Sequence, residues 1–268
     1  AMAWTGLELN TLAIIPFISK SHHPRAIEAT IKYFLVQATA STLLLFSSMM
    51  NAWATGQWDI TQLTHPASSL LLTVAIAMKL GLVPFHFWFP EVLQGSSLTT
   101  ALLLSTTMKF PPAVLLFLTT HSLNPALLTT LAIASVALGG WMGLNQTQLR
   151  KILAFSSIAH LGWMTAVIVY SPKLALLTFY LYVLTTTAVF LTLNSTKTLK
   201  LTTLMTSWTK SPTLNATLML VLLSLAGLPP LTGFLPKWLI IQELTKQEMA
   251  TTATILATLS LLGLFFYL

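Results

Sequence analysis

Nine long apolar runs limit what this chain of 268 residues can fold into. A helix needs about 20 apolar residues to cross the hydrocarbon core of a bilayer, and nine segments approach or exceed that length. Only 7% of the residues are charged, against about 25% in soluble domains. The sequence therefore predicts one all-α transmembrane domain over residues 1–268. Its spans are predicted at 1–18, 26–50, 66–93, 97–120, 125–144, 149–170, 173–194, 213–247 and 250–268.

Two of these runs, 66–93 and 213–247, are too long for one straight crossing and contain internal proline and glycine. Each is predicted to be a single discontinuous helix, unwound near Pro84 to Pro90 in one case and near Leu228 to Phe234 in the other. Backbone without helical hydrogen bonds survives at membrane depth only inside protein or beside water. The two runs are five spans apart and therefore cross in opposite directions, as an inverted repeat predicts. Pro111 and Pro112 predict a further kink in the fourth span.

Charges in the connecting loops support this count of nine. Under it, the loops of one side carry seven basic residues and no acidic residue, whereas the loops of the other side nearly cancel. The positive-inside rule then places the first side in the cytoplasm or matrix. The basic set is Lys20, Arg25, Arg150, Lys151, Lys197, Lys200 and Lys210, and the opposite set is Asp59, Lys173, Glu243, Lys246 and Glu248.

Four ionisable residues fall at membrane depth. Lys79 and Lys109 lie about 17 and 18 Å from the ends of their spans at a rise of 1.5 Å per residue, and Glu8 is similarly deep. Lys237 directly follows the break of the eighth span. An isolated charge at such depth costs at least about 2.5–3.5 kcal/mol and generally marks an ion or proton pathway. Lys32, one helical turn from Glu28, is instead expected to reach the membrane surface.

Two explanations of the deep charges remain open at this point. One is a static ion pair that serves structure only, and the other is a path for protons or ions. Burial favours the neutral amine of a lysine and a nearby carboxylate favours the ammonium, so a Lys–Glu pair can hold or release a proton. We expect Glu8 and Lys79 to form a direct or water-bridged ion pair. A sodium site would need more carboxylates or free carbonyls than the sequence places at this depth.

Several functional classes are excluded or disfavoured by composition. The sequence contains no cysteine, which excludes disulfides, thiolate catalysis and cysteine-ligated zinc or iron–sulfur clusters in this chain. The net charge is +7, but the basic residues stand singly between apolar runs without interleaved aromatic residues, so no nucleic acid partner is expected. No paired histidines and no dinucleotide-binding glycine pattern occur, and we expect no bound cofactor and no metal.

Five stretches carry a resemblance to a known family. They are "WTGLELNTLAIIP", "IEATIKYFLVQATAS", "MKLGLVPFHFWFPEVLQG", "GLNQTQLRKILAFSSIAHLGWM" and "LAGLPPLTGFLPKW". Together they resemble the antiporter-like membrane subunits of respiratory complex I, the NADH–ubiquinone oxidoreductase, in their mitochondrially encoded animal form. The resemblance extends over residues 1–268. It implies that a first and a last helix of the family are absent from this sequence.

The resemblance implies a role for each deep charge. It makes Glu8 the partner of the first channel lysine, Lys79; it makes Lys109 the central lysine and Lys237 the lysine of the second broken helix. His86 and His160 resemble polar members of the same hydrated axis. From the residues alone, each histidine fits a local hydrogen-bonding role equally well.

The implied function is proton translocation in the membrane arm of the complex, driven by electron transfer in other subunits. NADH, FMN, iron–sulfur clusters and ubiquinone are expected in partner subunits. The expected partners are other membrane-arm subunits, in an obligate hetero-oligomer, and membrane lipids; the expected location is the mitochondrial inner membrane. Three alternatives remain: a free-standing cation/proton antiporter, a scaffold with static buried charges, and half-channels that open on neighbouring subunits.

Overall fold

The computed structural model describes residues 2–20, 22–209 and 211–267, and this part of the chain is built from α-helices. Lys210, one of the predicted loop charges, lies outside the described residues, as do the two terminal residues of the predicted spans. The helices are α1 (Met2–Ser19), α2 (Pro24–Thr55), α3 (Pro66–Leu80), α4 (Trp88–Gly95), α5 (Leu98–Ser105), α6 (Phe110–Leu118), α7 (Pro125–Gly143), α8 (Leu149–Val167), α9 (Pro172–Thr196), α10 (Leu201–Thr206), α11 (Pro212–Ala226), α12 (Phe234–Lys246) and α13 (Ala250–Phe265).

Both predicted helix breaks are present. Gly81 (φ 76°) caps the end of α3 and Gly227 (φ 85°) caps the end of α11, both in the left-handed conformation that glycine adopts without steric cost. The chain is non-helical over 81–87 and over 227–233, and then resumes as α4 and α12. The first unwound segment is thus shifted from its predicted position, because Pro90 lies in the first turn of α4, where its missing N–H costs nothing.

The fourth predicted span is interrupted at Lys109. α5 ends at Ser105, a short 3₁₀ turn covers Thr107–Lys109, and α6 begins at Phe110 with Pro111 and Pro112 in its first turn. The two prolines cannot donate to the preceding carbonyls, so the α-helix cannot run through this point. The predicted kink therefore lies on the N-terminal side of the two prolines, at the lysine itself.

Burial is distributed as in a membrane protein rather than in a soluble one. Large apolar side chains such as Trp53 and Phe265 are exposed on the outer surface, whereas serine, threonine and lysine side chains are buried between helices. Among the described residues, four helical segments are long and apolar enough to cross a membrane: α2, α7, α9 and the interrupted α5–α6 segment, Leu98–Leu118. The two broken helices contribute shorter apolar segments, Pro66–Leu80 and Pro212–Ala226. The all-α membrane bundle is confirmed, and nine crossings remain a prediction.

The packing places the broken elements at the centre of the bundle. α2 packs against α1, α3 and α4, while α8 packs against α7, α9, α4 and α12. α5 and α11 both pack against α9. One short helix, α10, was not predicted, and it lies next to an isolated antiparallel bridge between Gln148 and Lys200.

Candidate proton-carrying site

Lys109 is the least solvent-exposed lysine of the described residues. Its side chain is buried (3% exposed), and its Nζ lies 4.4 Å from the ring centroid of Phe89. The aromatic face attracts the ammonium, but it cannot accept a proton. No carboxylate oxygen of the described residues lies within 4.0 Å of this Nζ. Lys109 is therefore a buried amine without an acidic partner at contact distance.

Tyr182 of α9 is the hydrogen-bond partner of Lys109. Lys109 Nζ donates to the Tyr182 hydroxyl at 3.2 Å, and this hydroxyl donates to the carbonyl oxygen of Ser105 at 3.0 Å. α5 ends at Ser105, so the helix break supplies the carbonyl that orients the tyrosine. The tyrosine oxygen can accept a hydrogen from the lysine whether the amine is charged or neutral. This contact therefore fits both protonation states of Lys109.

Lys237 lies at the second helix break. Its Nζ donates to the carbonyl oxygen of Ala226 at 2.8 Å, and Ala226 is the last residue of α11. An ammonium at a helix C-terminus satisfies a free carbonyl and interacts favourably with the helix dipole. Lys237 belongs to α12 and Ala226 to α11, so this hydrogen bond joins the two halves of the broken helix.

His160 of α8 lies between these two lysines. Its Nδ1 is 2.8 Å from the carbonyl oxygen of Ser156, which can only accept, so Nδ1 is the donor of this hydrogen bond. The ring centroids of His160 and Tyr182 are 5.7 Å apart. His160, Tyr182 and Lys237 also line one small cavity of about 30 Å³, which has room for about one water molecule.

Lys79 shares a second small cavity with Lys109. This cavity of about 20 Å³ lies between α1, α2, the helices α3 and α4 on either side of the first break, and the interrupted α5–α6 segment. Lys79 is buried (5% exposed), and its Nζ has no hydrogen-bond partner among the described residues. The structure therefore connects Lys79 to Lys109 through a cavity, and Lys109 to His160 and Lys237 through Tyr182.

The predicted direct ion pair between Glu8 and Lys79 is absent among the described residues. The Glu8 carboxylate has a hydrogen-bond partner on its own helix: Thr11 Oγ1 donates to Oε2 at 3.3 Å. α1 turns Leu7, Asn10 and Thr11 towards the Lys79 cavity, so Glu8 lies on a neighbouring face and does not line it.

His86 lies apart from the cavities that the lysines line. It is buried in the unwound segment after α3, where Nε2 lies 3.4 Å from the sulfur of Met142 and the ring packs on Phe87. It lines neither of the lysine cavities. The structure therefore places His86 between the break and α7, and the polar-axis role that the resemblance implied for it stays a prediction.

Sequence reasoning did not identify Tyr182. The sequence feature that could have indicated it is the apolar run "FYLYVL" of α9, which holds two tyrosines, Tyr180 and Tyr182. A buried tyrosine hydroxyl requires a partner, and the partner is set by helix packing that the sequence alone does not give.

Comparison with known proteins identifies the family. Residues 1–263 match the family model described as the membrane domain of the NADH:quinone oxidoreductase/Mrp antiporter proteins. The chain belongs to this family. Among similar curated proteins of the NADH:quinone oxidoreductase/Mrp antiporter family, the NADH-ubiquinone oxidoreductase chain 2 of Struthio camelus is 80% identical over 267 residues. That of Coturnix japonica is 74% identical over the same length. The matches cover 100% of this chain and 77% of each relative.

Solved structures of the NADH:quinone oxidoreductase/Mrp antiporter family share the fold. A chain of respiratory complex I from Thermus thermophilus, solved with bound aureothin, superimposes with a TM-score of 0.89 at 31% identity, over 98% of this chain and 63% of that chain. A chain of the Mrp complex from Dietzia sp. superimposes with a TM-score of 0.86 at 18% identity, over 98% of this chain and 54% of its own length. The second likeness shows the fold alone. The predicted antiporter-like architecture is confirmed.

Proposed function

We propose that the chain is a proton-translocating membrane-arm subunit of an NADH:ubiquinone oxidoreductase in the mitochondrial inner membrane. The support is its 80% identity to a protein named as chain 2 of that oxidoreductase and its place in the family. Other membrane-arm subunits are its partners in a hetero-oligomer, with lipids around the exposed apolar surface. NADH, FMN, iron–sulfur clusters and ubiquinone belong to partner subunits, and this chain performs no redox chemistry.

The observation that carries the proposed mechanism is the environment of Lys109. A buried ammonium whose partners are a tyrosine hydroxyl and aromatic rings is less stabilised than one paired with a carboxylate. Small changes in nearby charge or hydration therefore shift the balance between its ammonium and amine forms. This responsiveness is what a proton relay requires and what a purely structural charge would avoid.

Protons move along a line of named side chains. Lys79 exchanges with Lys109 across their shared cavity, and Lys109 exchanges with His160 and Lys237 through Tyr182. Glu8 lies at the Lys79 end of this line, on the face of α1 next to the residues that line the cavity. Electron transfer in partner subunits would drive proton transfer between these side chains by changing the charge at one end of the line.

Replacing Lys109 by methionine tests this function. Methionine keeps an unbranched apolar side chain in the site but cannot hold a proton. We expect the assembled complex to form and the number of protons taken up per electron by sealed, NADH-energised membrane vesicles to fall, or turnover to stop altogether. Normal pumping per electron in a fully assembled Lys109→Met complex would contradict the proposal.

The two other functional classes predict different outcomes. A free-standing cation/proton antiporter would exchange sodium for protons when the purified chain alone is placed in liposomes with a sodium gradient. A scaffold with static charges would lose assembly in Lys109→Met and keep coupling in whatever complex forms. The absence of a carboxylate within contact distance of Lys109, among the described residues, favours the relay over both.

A further inference from the structure

A polar cavity of about 300 Å³ lies away from the lysine axis, where α2 begins and α4 ends. It is lined by charged side chains from three helices, together with Gln94, Ala29 and Gly95. In the topology predicted from the loop charges, this end of the bundle faces the matrix. The charged residues are Arg25, Glu28 and Lys32 of α2, Glu91 of α4 and Lys151 of α8.

Three of these residues form one ion-pair cluster. Lys32 Nζ lies 2.5 Å from Glu28 Oε1 and 2.6 Å from Glu91 Oε2. Two carboxylates on one ammonium leave one negative charge in the cluster. All three side chains are between 41% and 60% exposed, so the pairs add little to stability. Both carboxylates are thus open to water, and either of them alone is enough to keep Lys32 paired.

The polar cavity and the Lys79–Lys109 cavity lie along one seam between α2 and α4. Arg25, Ala29, Tyr33 and Gln37 follow one another at four-residue spacing on the same face of α2, about 6 Å apart. The first two residues line the polar cavity and the last two line the cavity of the lysines.

α4 repeats this arrangement from the other side of the seam. Glu91 and Gln94 line the polar cavity, whereas Trp88 and Phe89 line the lysine cavity. Tyr33 and Trp88 contact each other edge to face, with ring centroids 5.8 Å apart. A single layer of aromatic side chains thus separates the two cavities.

Gly95 allows α2 and α4 to lie this close together. A Cβ at this position would lie 2.6 Å from the Cβ of Ala29 and 2.7 Å from the carbonyl oxygen of Arg25. The close approach fixes the end of α4 against the beginning of α2, with Glu91 next to Lys32.

We infer that the polar cavity is the mouth through which protons from the matrix reach Lys79 and Lys109. The inference rests on the proposed function and adds the place of proton uptake. In the first step a proton leaves hydronium and binds a carboxylate oxygen of Glu91 or Glu28. It then passes along the Tyr33–Trp88 seam, by way of water, to a neutral lysine amine. One O–H bond is broken and one N–H bond is formed, so atoms and charge balance.

The test compares Glu91→Gln with Glu243→Gln in the assembled complex. Glu243 has its own lysine partner, Lys246, at 3.9 Å, but the pair lies at the end of α12, on the opposite side in the predicted topology. Turnover and NADH-driven proton uptake are measured from neutral to alkaline pH, where proton supply becomes limiting. We expect the alkaline limb of the pH–turnover profile of Glu91→Gln to move by about one pH unit towards lower pH. This corresponds to an about tenfold higher proton concentration for the same turnover. Glu243→Gln should follow the wild type.

A small membrane-permeant weak acid separates proton supply from structural damage. If Glu91 collects protons, millimolar formate or azide should restore the alkaline activity of Glu91→Gln. Glu28→Gln, which leaves the Lys32–Glu91 contact between helices in place, should show a smaller shift that the weak acid also reverses. Equal profiles for Glu91→Gln and Glu243→Gln, or a loss that the weak acid does not restore, would overturn the inference.

The failure of this inference differs from the failure of the proposed function. If Glu91→Gln behaves as the wild type while Lys109→Met abolishes pumping, protons reach the lysines by another route, such as one that opens on a neighbouring subunit. If Lys109→Met pumps normally, the function itself is contradicted.

Discussion

Lys109 and Tyr182 are joined by a hydrogen bond of 3.2 Å inside a bundle in which both side chains are buried. The tyrosine also holds the carbonyl of Ser105 at the helix break and lines the cavity of His160 and Lys237. One hydroxyl therefore connects the interrupted fourth span to the second broken helix.

Tyr182→Phe should interrupt proton transfer between Lys109 and the cavity of His160 and Lys237. The ring and its packing remain, but the hydroxyl that accepts from Lys109 and donates to Ser105 is lost, and an unsatisfied buried group costs about 1–3 kcal/mol. We expect turnover coupled to pumping to fall about tenfold, which corresponds to about 1.4 kcal/mol in the barrier. The control is Tyr180→Phe, because Tyr180 is on the same helix but 56% exposed. Equal activity of the two variants would show that the hydroxyl of Tyr182 carries no proton.

The two predicted axis histidines should differ. His160→Gln removes a titratable ring beside Tyr182 and Lys237, whereas His86→Gln changes a side chain that contacts Met142 and Phe87. We expect His160→Gln to lower pumping-coupled turnover several-fold and His86→Gln to leave the protons pumped per electron unchanged. Proton uptake by NADH-energised vesicles measures both. A lower number of protons pumped per electron in His86→Gln would show that His86 takes part in proton transfer.

Gly227→Ala should damage the contact of Lys237 with the helix break. Any side chain at φ 85° is strained by about 1–2 kcal/mol, and a Cβ here would also lie 2.8 Å from Lys237 Nζ. Gly56→Ala is the matched control, because its φ is 75° and a Cβ there has no atom within 4 Å. We expect both variants to lose some thermal stability and only Gly227→Ala to lose proton pumping. Identical pumping in the two would mean that the Lys237–Ala226 contact is dispensable.

Glu8→Gln should change activity without changing assembly. The glutamine oxygen can still accept from Thr11 Oγ1, and no direct ion pair with Lys79 is lost. The negative charge beside Lys79 disappears, so we expect slower coupled turnover in a complex of normal abundance. Native gels give the abundance and NADH-driven proton uptake gives the turnover. A marked loss of assembled complex would instead indicate a direct Glu8–Lys79 pair.

The helix breaks could be predicted from sequence because their causes are local. Proline and glycine stand at the breaks themselves, and the lysines are conspicuous inside apolar runs. The position of the first break still shifted, because Pro90 is accommodated in the first turn of α4 rather than in the loop before it.

Contacts between helices could not be predicted in the same way. Depth along the membrane normal suggested a Glu8–Lys79 pair, but the rotation of α1 about its own axis places Glu8 beside the cavity rather than in it. Tyr182 was missed for a related reason, since its partners lie 73 and 77 residues away in the chain. Glu91, the second partner of Lys32, is likewise 59 residues away.

Lys109→Arg tests the central claim most directly. Arginine keeps the positive charge and can still donate to Tyr182, but it does not release its proton under any physiological condition. The deciding quantity is the number of protons pumped per electron by sealed membranes in which the variant complex is fully assembled. If Lys109 is a relay, the arginine variant assembles and pumping per electron falls or turnover stops. If the arginine variant pumps with wild-type coupling, Lys109 only holds a charge in place and the relay is contradicted.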